Sequence, residues 1–344
     1  DFDNVGLLVG DKHSEVTGIL VTLDTLESVV EEAIENNCNL IVSFHPIIFK
    51  GLKKLTGSTY VERAVIKAIK HNIAIYSMHT ALDNAWHGVN DAICDHLDLV
   101  NKAILIPQKN TIKKFKTFVP VGDADQVRSA LLEAGAGNIG NYSDCSFNIE
   151  GTGTYKGNDD SNPTVGQKGQ IHIASETCIS VIFGKHLESQ ILNALMNHHP
   201  YEEVAFEISA LDNNNQHIGM GMIGELTKEM SETEFLEYLK SRMNTGCIKH
   251  SILRGRSIKK VAVLGGSGAF AISAAIRSKA DILVTSDLKY HDFFSAEDNI
   301  VLADIGHYES EQFTKNRLVA HLTKKITNFA VVLSKTNTNP VQYF

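Results

Sequence analysis

Two periodicities alternate along the first hundred residues. Short apolar runs rich in β-branched residues, GILVTLD at 18–24, NLIVSFHP at 39–46 and IAIYSMHTALD at 73–83, read as strands. Between them, TLESVVEEAIENN at 25–37 and TYVERAVIKAIKHN at 59–72 carry apolar positions at helical spacing. The rhythm returns late in the chain: KKVAVLGG at 259–266, a helix to about Ser278, ADILVTSD at 280–287, a short helix, IVLADIG at 300–306, a long helix, then FAVVLSK. Strand and helix in alternation predict a mostly parallel sheet covered by helices, so the fold class is α/β with two lobes.

The texture changes between 109 and 215. KFKTFVPVGDADQVRSALLEAGAGNIGNYSDCSF gives way to the Gly-, Thr- and Asn-rich GTGTYKGNDDSNPTVGQKG, then to HHPYEEVAFEISALD. The order strand, helix, polar loop, strand, helix, strand predicts a small α+β insert, and hence a lobe at 1–108, an insert at 109–215 and a second lobe at 216–344.

Parallel sheets gather ligands at the carboxyl ends of their strands, which gives the polar strand ends meaning. His45 closes NLIVSFH and Pro46 stops that strand; Asp83 closes IAIYSMHTALD, with His79 four residues before it. His307 follows IVLADIG, and Glu311 lies four residues on, on the same helical face. Each has a plain structural alternative: a strand-end or capping histidine, a turn or N-cap aspartate, a solvated glutamate. Together they offer two imidazoles and two carboxylates without a thiolate, a donor set for one open site or for two bridged ions of zinc, manganese, iron or nickel. Nearby, GGSG at 265–268 is either an anion cradle or a tight turn between strand and helix. Asp287, Lys289 and His291 follow another strand end, where they either hold substrate, support the ligands, or cap a helix.

Composition narrows the setting. The 344 residues carry a formal net charge of -8 with scattered Lys and Arg, so no nucleic-acid footprint appears. The five cysteines form no CxxC pair, which argues against a disulfide framework and for a reduced, cytoplasmic setting. No apolar run approaches the roughly 20 residues that span a bilayer, so no membrane partner is expected. The start, DFDNVGLLVG, has neither Met nor a first helix, which suggests a missing N-terminal segment.

Asp3-Asn4-Val5-Gly6-Leu7, the His45-Pro46 strand end, HTALD, GGSG, TSDLKYH and GHYESE occur in that order, and the chain closely resembles the GTP cyclohydrolase 1 type 2 homologues, the Ngg-interacting-factor-three-like family. The resemblance implies a dinuclear metal centre between two α/β lobes, a toroidal homohexamer, and in long bacterial members a PII-like or CutA-like (ferredoxin-like) insert, here 109–215. It places the metal ligands on His45, Asp83, His307 and Glu311. Phe44 stands where the family has a first histidine, so one of two ions loses a protein ligand, with water or His79 in reach as substitute. Ser286 stands where the family has Gly, which would restrict a backbone of positive φ. The activity implied is metal-activated attack of water at C8 of GTP, with His79 or His291 shuttling a proton and Lys289 or GGSG meeting the triphosphate. The alternatives are a non-catalytic regulator whose insert senses a small ligand, and a metal-dependent hydrolase of another substrate.

Overall fold

The structure is a computed structural model that describes residues 3–344; the start of the chain at Asp1 and Phe2 lies outside the described residues. The chain forms two compact units, one of residues 1–106 with 217–344 and one of residues 107–216.

The larger unit holds two mixed sheets. The first runs in spatial order Gly6–Val9, Ala74–Ser77, Leu40–Ser43, Gly18–Thr22 and Ala330–Leu333; only the Gly6–Val9 edge pairs antiparallel. The central strands Gly18–Thr22 and Leu40–Ser43 are short, apolar and buried on both faces, as parallel strands under helices must be. Helices Glu27–Glu35 and Tyr60–Lys70 pack Val29, Val30, Ala64 and Val65 against one face, and Leu318 of the helix Thr314–Lys325 covers the other. The second sheet runs Lys249–His250, Val301–Asp304, Ile282–Ser286, Ser257–Ser267, Gly219–Ser231 and Val100–Pro107, with a parallel centre. Each sheet draws on both ends of the chain: Ala330–Leu333 pairs with Gly18–Thr22, while Val100–Pro107 joins the later strands. A division of this unit at 1–108 and 216–344 therefore does not follow its sheets.

Register fixes what emerges at the sheet edges. Thr22, Ser43 and Ser77 lie side by side in the parallel ladder, so Asp24, His45 and His79, each two residues further on, leave the same edge. The hydroxyls bend the exits: Thr22 Oγ1 donates to the Asp24 carbonyl at 2.9 Å and Ser43 Oγ to the His45 carbonyl at 2.8 Å. In the second sheet Thr285 pairs with Asp304, which puts Asp287 and His307 just past a common edge.

Two expected elements change. The run expected as a strand over 73–83 ends at Ser77, and His79–Asp83 is one helical turn. Asp3 captures that turn, its Oδ2 accepting from the Thr80 amide at 3.1 Å and meeting His79 Nδ1 at 2.6 Å. The long helix expected after 306 is two helices, His307–Glu311 and Thr314–Lys325.

The unit of residues 107–216 has a four-stranded antiparallel sheet, in spatial order Phe147–Tyr155, His172–Gly184, Ile112–Pro120 and Phe206–Leu211. With helices Ala124–Glu133 and Glu188–His198 it follows the βαββαβ order of ferredoxin-like units. GTGTY, expected within a polar loop, is the end of the strand Phe147–Tyr155. Its glycines and threonines hide the period-2 signal because that strand buries little apolar surface.

Candidate metal centre

Glu311 organises the centre. The helix His307–Glu311 begins after Gly306 and places His307 and Glu311 on one face; Glu311 is only 4% exposed. Its Oε2 faces His45 Nε2 at 3.1 Å and His307 Nε2 at 3.2 Å, yet this buried oxygen has no hydrogen bond of proper geometry. Three ligand atoms thus converge within 4.8 Å of one another, and the buried Glu311 Oε2 among them makes no hydrogen bond. A buried carboxylate oxygen left in that state is costly unless something else is meant to meet it.

The far nitrogen of each imidazole is tied down. His45 Nδ1 meets Asp24 Oδ1 at 2.8 Å, and His307 Nδ1 meets Asp287 Oδ2 at 2.7 Å. Carboxylates on Nδ1 fix the ring orientation and leave Nε2 as the ligand atom, the usual support of metal-binding histidines. The supports are themselves held: Thr338 Oγ1 donates to Asp24 Oδ2, and Ser267 Oγ donates to Asp287 Oδ2.

The charges are matched at close range. Burial lowers the affinity of His45 for its proton, but Asp24 and Glu311 overcome this and hold it up at about 10. Glu311, against burial, keeps His307 up at about 9. Burial pushes Glu311 up, but the two imidazoles hold it down to about 2. Asp83 behaves differently: burial first, and then the Glu311 charge, push it up to about 8. Its Oδ1 is buried and has no hydrogen-bond partner, the second orphaned oxygen of the region.

Of the four expected ligands, the structure brings His45, His307 and Glu311 together as a triad. Asp83 stands outside the 4.8 Å group, although it feels the charges of all three of its members. His79 lies against the centre, its ring centroid 5.4 Å from that of His45. His291 is exposed, its ring edge-on to Tyr290 and tilted against Phe294, and it is not part of the converging group. Phe44 is fully buried beside the rings of His45 and His79, at 4.9 and 5.6 Å, and packs with Leu23 and Val89. Its ring offers no ligand atom.

The anion-cradle reading of GGSG loses its glycine donors. The amide of Gly265 donates to Asn90 Oδ1, that of Gly266 to Ser310 Oγ and that of Gly268 to the Ser286 carbonyl, so the three glycine amides are already spent. The segment makes room instead. Gly266 has φ +71°, and a Cβ there would lie 2.5 Å from Glu311 Oε1. Gly266→Ala is expected to cost about 2 kcal/mol or more, from left-handed strain alone at about 1–2 kcal/mol plus displacement of Glu311. Thermal melting and metal titration check this; an unchanged melting temperature with unchanged uptake would contradict it. The expected strain at Ser286 is also absent: Ser286 lies in a strand, and the positive φ (56°) falls on Asp287, a residue that tolerates it better.

Of the supporting carboxylates, Asp287 is among the strand-end residues read from the sequence as holding substrate or supporting the ligands, and it does meet His307; Asp24 is not singled out there. Asp24 closes GILVTLD by the same strand-end rule that selected His45, and Asp3 lies in a quoted motif without an assigned role. Nothing local marks Thr338. Asp24→Asn or Asp287→Asn should each weaken metal binding by roughly 10–100-fold while leaving the fold intact. Competition against a chelator measures this, and a change under twofold in both variants would remove the orienting role.

Residues 1–340 match the family described as Duf34/NIF3 (NGG1p interacting factor 3). The chain belongs to the DUF34/NIF3 family. A Bacillus subtilis relative named GTP cyclohydrolase 1 type 2 homolog is 37% identical, over 99% of this chain and 93% of its own. A Bacillus cereus protein related to NIF3 has a solved structure at TM-score 0.87 and 35% identity, covering 100% of this chain and 94% of its own. A Staphylococcus aureus protein of known structure follows at TM-score 0.79 and 32% identity, covering 100% and 93%. As a DUF34/NIF3 chain, it carries the triad on the residues that the family resemblance had marked as ligands, and it carries Phe44 beside them.

Proposed function

We propose that the chain is a divalent-metal-dependent hydrolase that opens the guanine imidazole ring of GTP, a reading in keeping with the name GTP cyclohydrolase 1 type 2 homolog that its curated relatives carry. The observation carrying this reading is the orphaned Glu311 Oε2 faced by two carboxylate-oriented imidazoles. His45, His307 and Glu311 would hold one ion, and Asp83 is the added donor. Zinc suits two imidazoles and carboxylates, and manganese, iron or nickel are accepted by the same set. Such an ion, when bound, supplies Lewis-acid activation, lowering the pKa of water toward about 7.

The protein groups have separate tasks. Asp24 and Asp287 hold His45 and His307 in the tautomer that presents Nε2. Asp3 occupies His79 Nδ1, so His79 Nε2 is the atom that takes up and returns a proton during water addition at C8. Burial around Asp83 and Glu311 excludes competing water from the carboxylates. Incubating protein loaded in turn with zinc, manganese, iron and nickel with GTP should yield formate and a ring-opened nucleotide. Neither product with any of the four metals would sink the assignment.

The fully buried Phe44 favours a second reading, in which the reduced centre is structural and the protein is a regulator. It expects tight metal binding without turnover of GTP or other nucleotides. A homohexamer belongs to the proposal in either case and is checked by mass in solution. The five free cysteines support a cytoplasmic setting, and no helix among the described residues is long and apolar enough to cross a membrane.

A further inference from the structure

A hollow lies wholly within the unit of residues 107–216. One face of its sheet is covered by helices through Phe115, Val119, Ile179 and Val181. Alternation along the strands turns Phe118, Glu176 and Cys178 to the opposite face. In-register pairing brings Ile149 opposite Cys178 and Gly151 opposite Glu176, with Gly153 and Tyr155 following on the same side. Two glycines in that row remove the side chains that would otherwise fill the face. A Cβ on Gly151 would meet nothing within 4 Å, whereas one on Gly153 would lie 2.1 Å from Glu176 Oε2. Glu176 therefore lies across Gly153 in space that only glycine leaves open.

The loop after Tyr155 closes the other side. Thr164 Oγ1 donates to the Pro200 carbonyl at 2.9 Å and the Asn162 amide donates to Glu202 Oε1 at 2.6 Å, pinning the loop to the segment that carries Tyr201. The result is a cleft of about 910 Å³, within the range of small-molecule sites.

Its chemistry is one-sided. Glu176 is 8% exposed; Oε1 accepts from the Tyr201 hydroxyl at 2.9 Å, and Oε2 has no hydrogen-bond partner among the described residues. The rings of Tyr155 and Tyr201 meet edge to face at 5.9 Å beside it. The other charged lining groups are Asp160, Glu202, Glu203 and Lys156, so four carboxylates stand against one ammonium. An anionic ligand would face the Glu176 carboxylate and three further acidic groups, and a neutral one would meet Oε2 without offsetting that charge. A cationic head answers both, since an ammonium pairs with Oε2 and is attracted to tyrosine faces.

We propose that this cleft binds a small organic amine, its ammonium on Glu176 and its apolar body against Phe118, Tyr155 and Tyr201. The site is distinct in its residues from the metal centre, and its existence does not depend on hydrolysis of any nucleotide.

Calorimetry on the full chain with phenethylamine, cadaverine and agmatine tests it, with 3-phenylpropionate as the anionic counterpart. Saturable binding of at least one amine is expected, weakened tenfold or more by Glu176→Gln, with no binding of 3-phenylpropionate. Gly151→Leu is the second variant: its side chain enters open space, so the fold persists while the cleft fills and amine binding is lost. Absence of binding by all three amines overturns the proposal. So does binding unchanged in both variants, or 3-phenylpropionate binding as well as the amines. Metal content, read in parallel, should be the same in wild type and both variants, which separates failure here from failure of the hydrolase reading.

Discussion

Glu311→Gln should abolish stoichiometric metal binding, weakening it by more than the roughly 10–100-fold that loss of a supporting partner costs. Glu311 supplies the buried oxygen on which both imidazole Nε2 atoms converge, so its loss removes one ligand and the anion that holds the other two in place. The amide fills the same volume, which isolates charge from packing. In the metal-free protein the change also breaks a buried ion cluster, for which about 3–5 kcal/mol is usual. The low end, about 3 kcal/mol, is expected, because His45 and His307 can shed their protons once the anion is gone. Chemical denaturation with and without added zinc separates the two effects. Zinc should stabilise wild type and leave Glu311→Gln unmoved.

Metal uptake should depend steeply on pH. In the metal-free protein, Asp83 (about 8), His307 (about 9) and His45 (about 10) hold protons at pH 7, while Glu311 (about 2) is already ionised. Ligation needs the deprotonated forms, so an ion entering at pH 7 should displace roughly two to three protons, and affinity should climb as pH rises toward 8 and beyond. Stability of the metal-free chain moves the opposite way. His45 and His307 are raised above 6.5, so their contribution is present below 6.5 and lost as pH rises toward 9 and 10. Asp83, raised above 3.8, opposes folding increasingly from there up to about 8. Calorimetric titration of zinc at pH 7 in buffers of differing ionisation enthalpy counts the released protons. Release of none would mean that these residues are not the ligands.

The sequence made part of this centre legible and hid the rest for identifiable reasons. His307 and Glu311 are four residues apart on one helical turn, and His45 stands before a proline at a strand end, so local spacing was enough. Asp83 looked like a strand end because IAIYSMHTALD runs to its last residue without a Gly or Pro to mark a break; the turn after Ser77 is held by Asp3, whose partner lies 76 residues away. Asp24 obeys the same rule as His45, but its role needs the register of Gly18–Thr22 with Leu40–Ser43, which is a tertiary fact. Thr338 reaches Asp24 across 314 positions. The return of Ala330–Leu333 to the first sheet is equally long-range, because a parallel edge strand reads the same wherever it pairs. The glycines of GGSG were ambiguous between phosphate and packing until their amides were seen to be spent on Asn90, Ser310 and Ser286.

Phe44 gives the centre its individual character. Its buried ring belongs to the same core cluster as Leu23 and Val89 and lies against the His45 ring, so it ties the core to the site without adding a donor. On the proposed reading a single tightly held ion on the triad is expected, with any second ion left to Asp83, His79 and water.

Elemental analysis of the protein purified without chelator or added metal tests the central claim most directly. A transition-metal ion at about one per chain in wild type, lost in Glu311→Gln, is the predicted result. A folded wild-type protein that contains no such ion, and takes none up when zinc is supplied at pH 8, would contradict it.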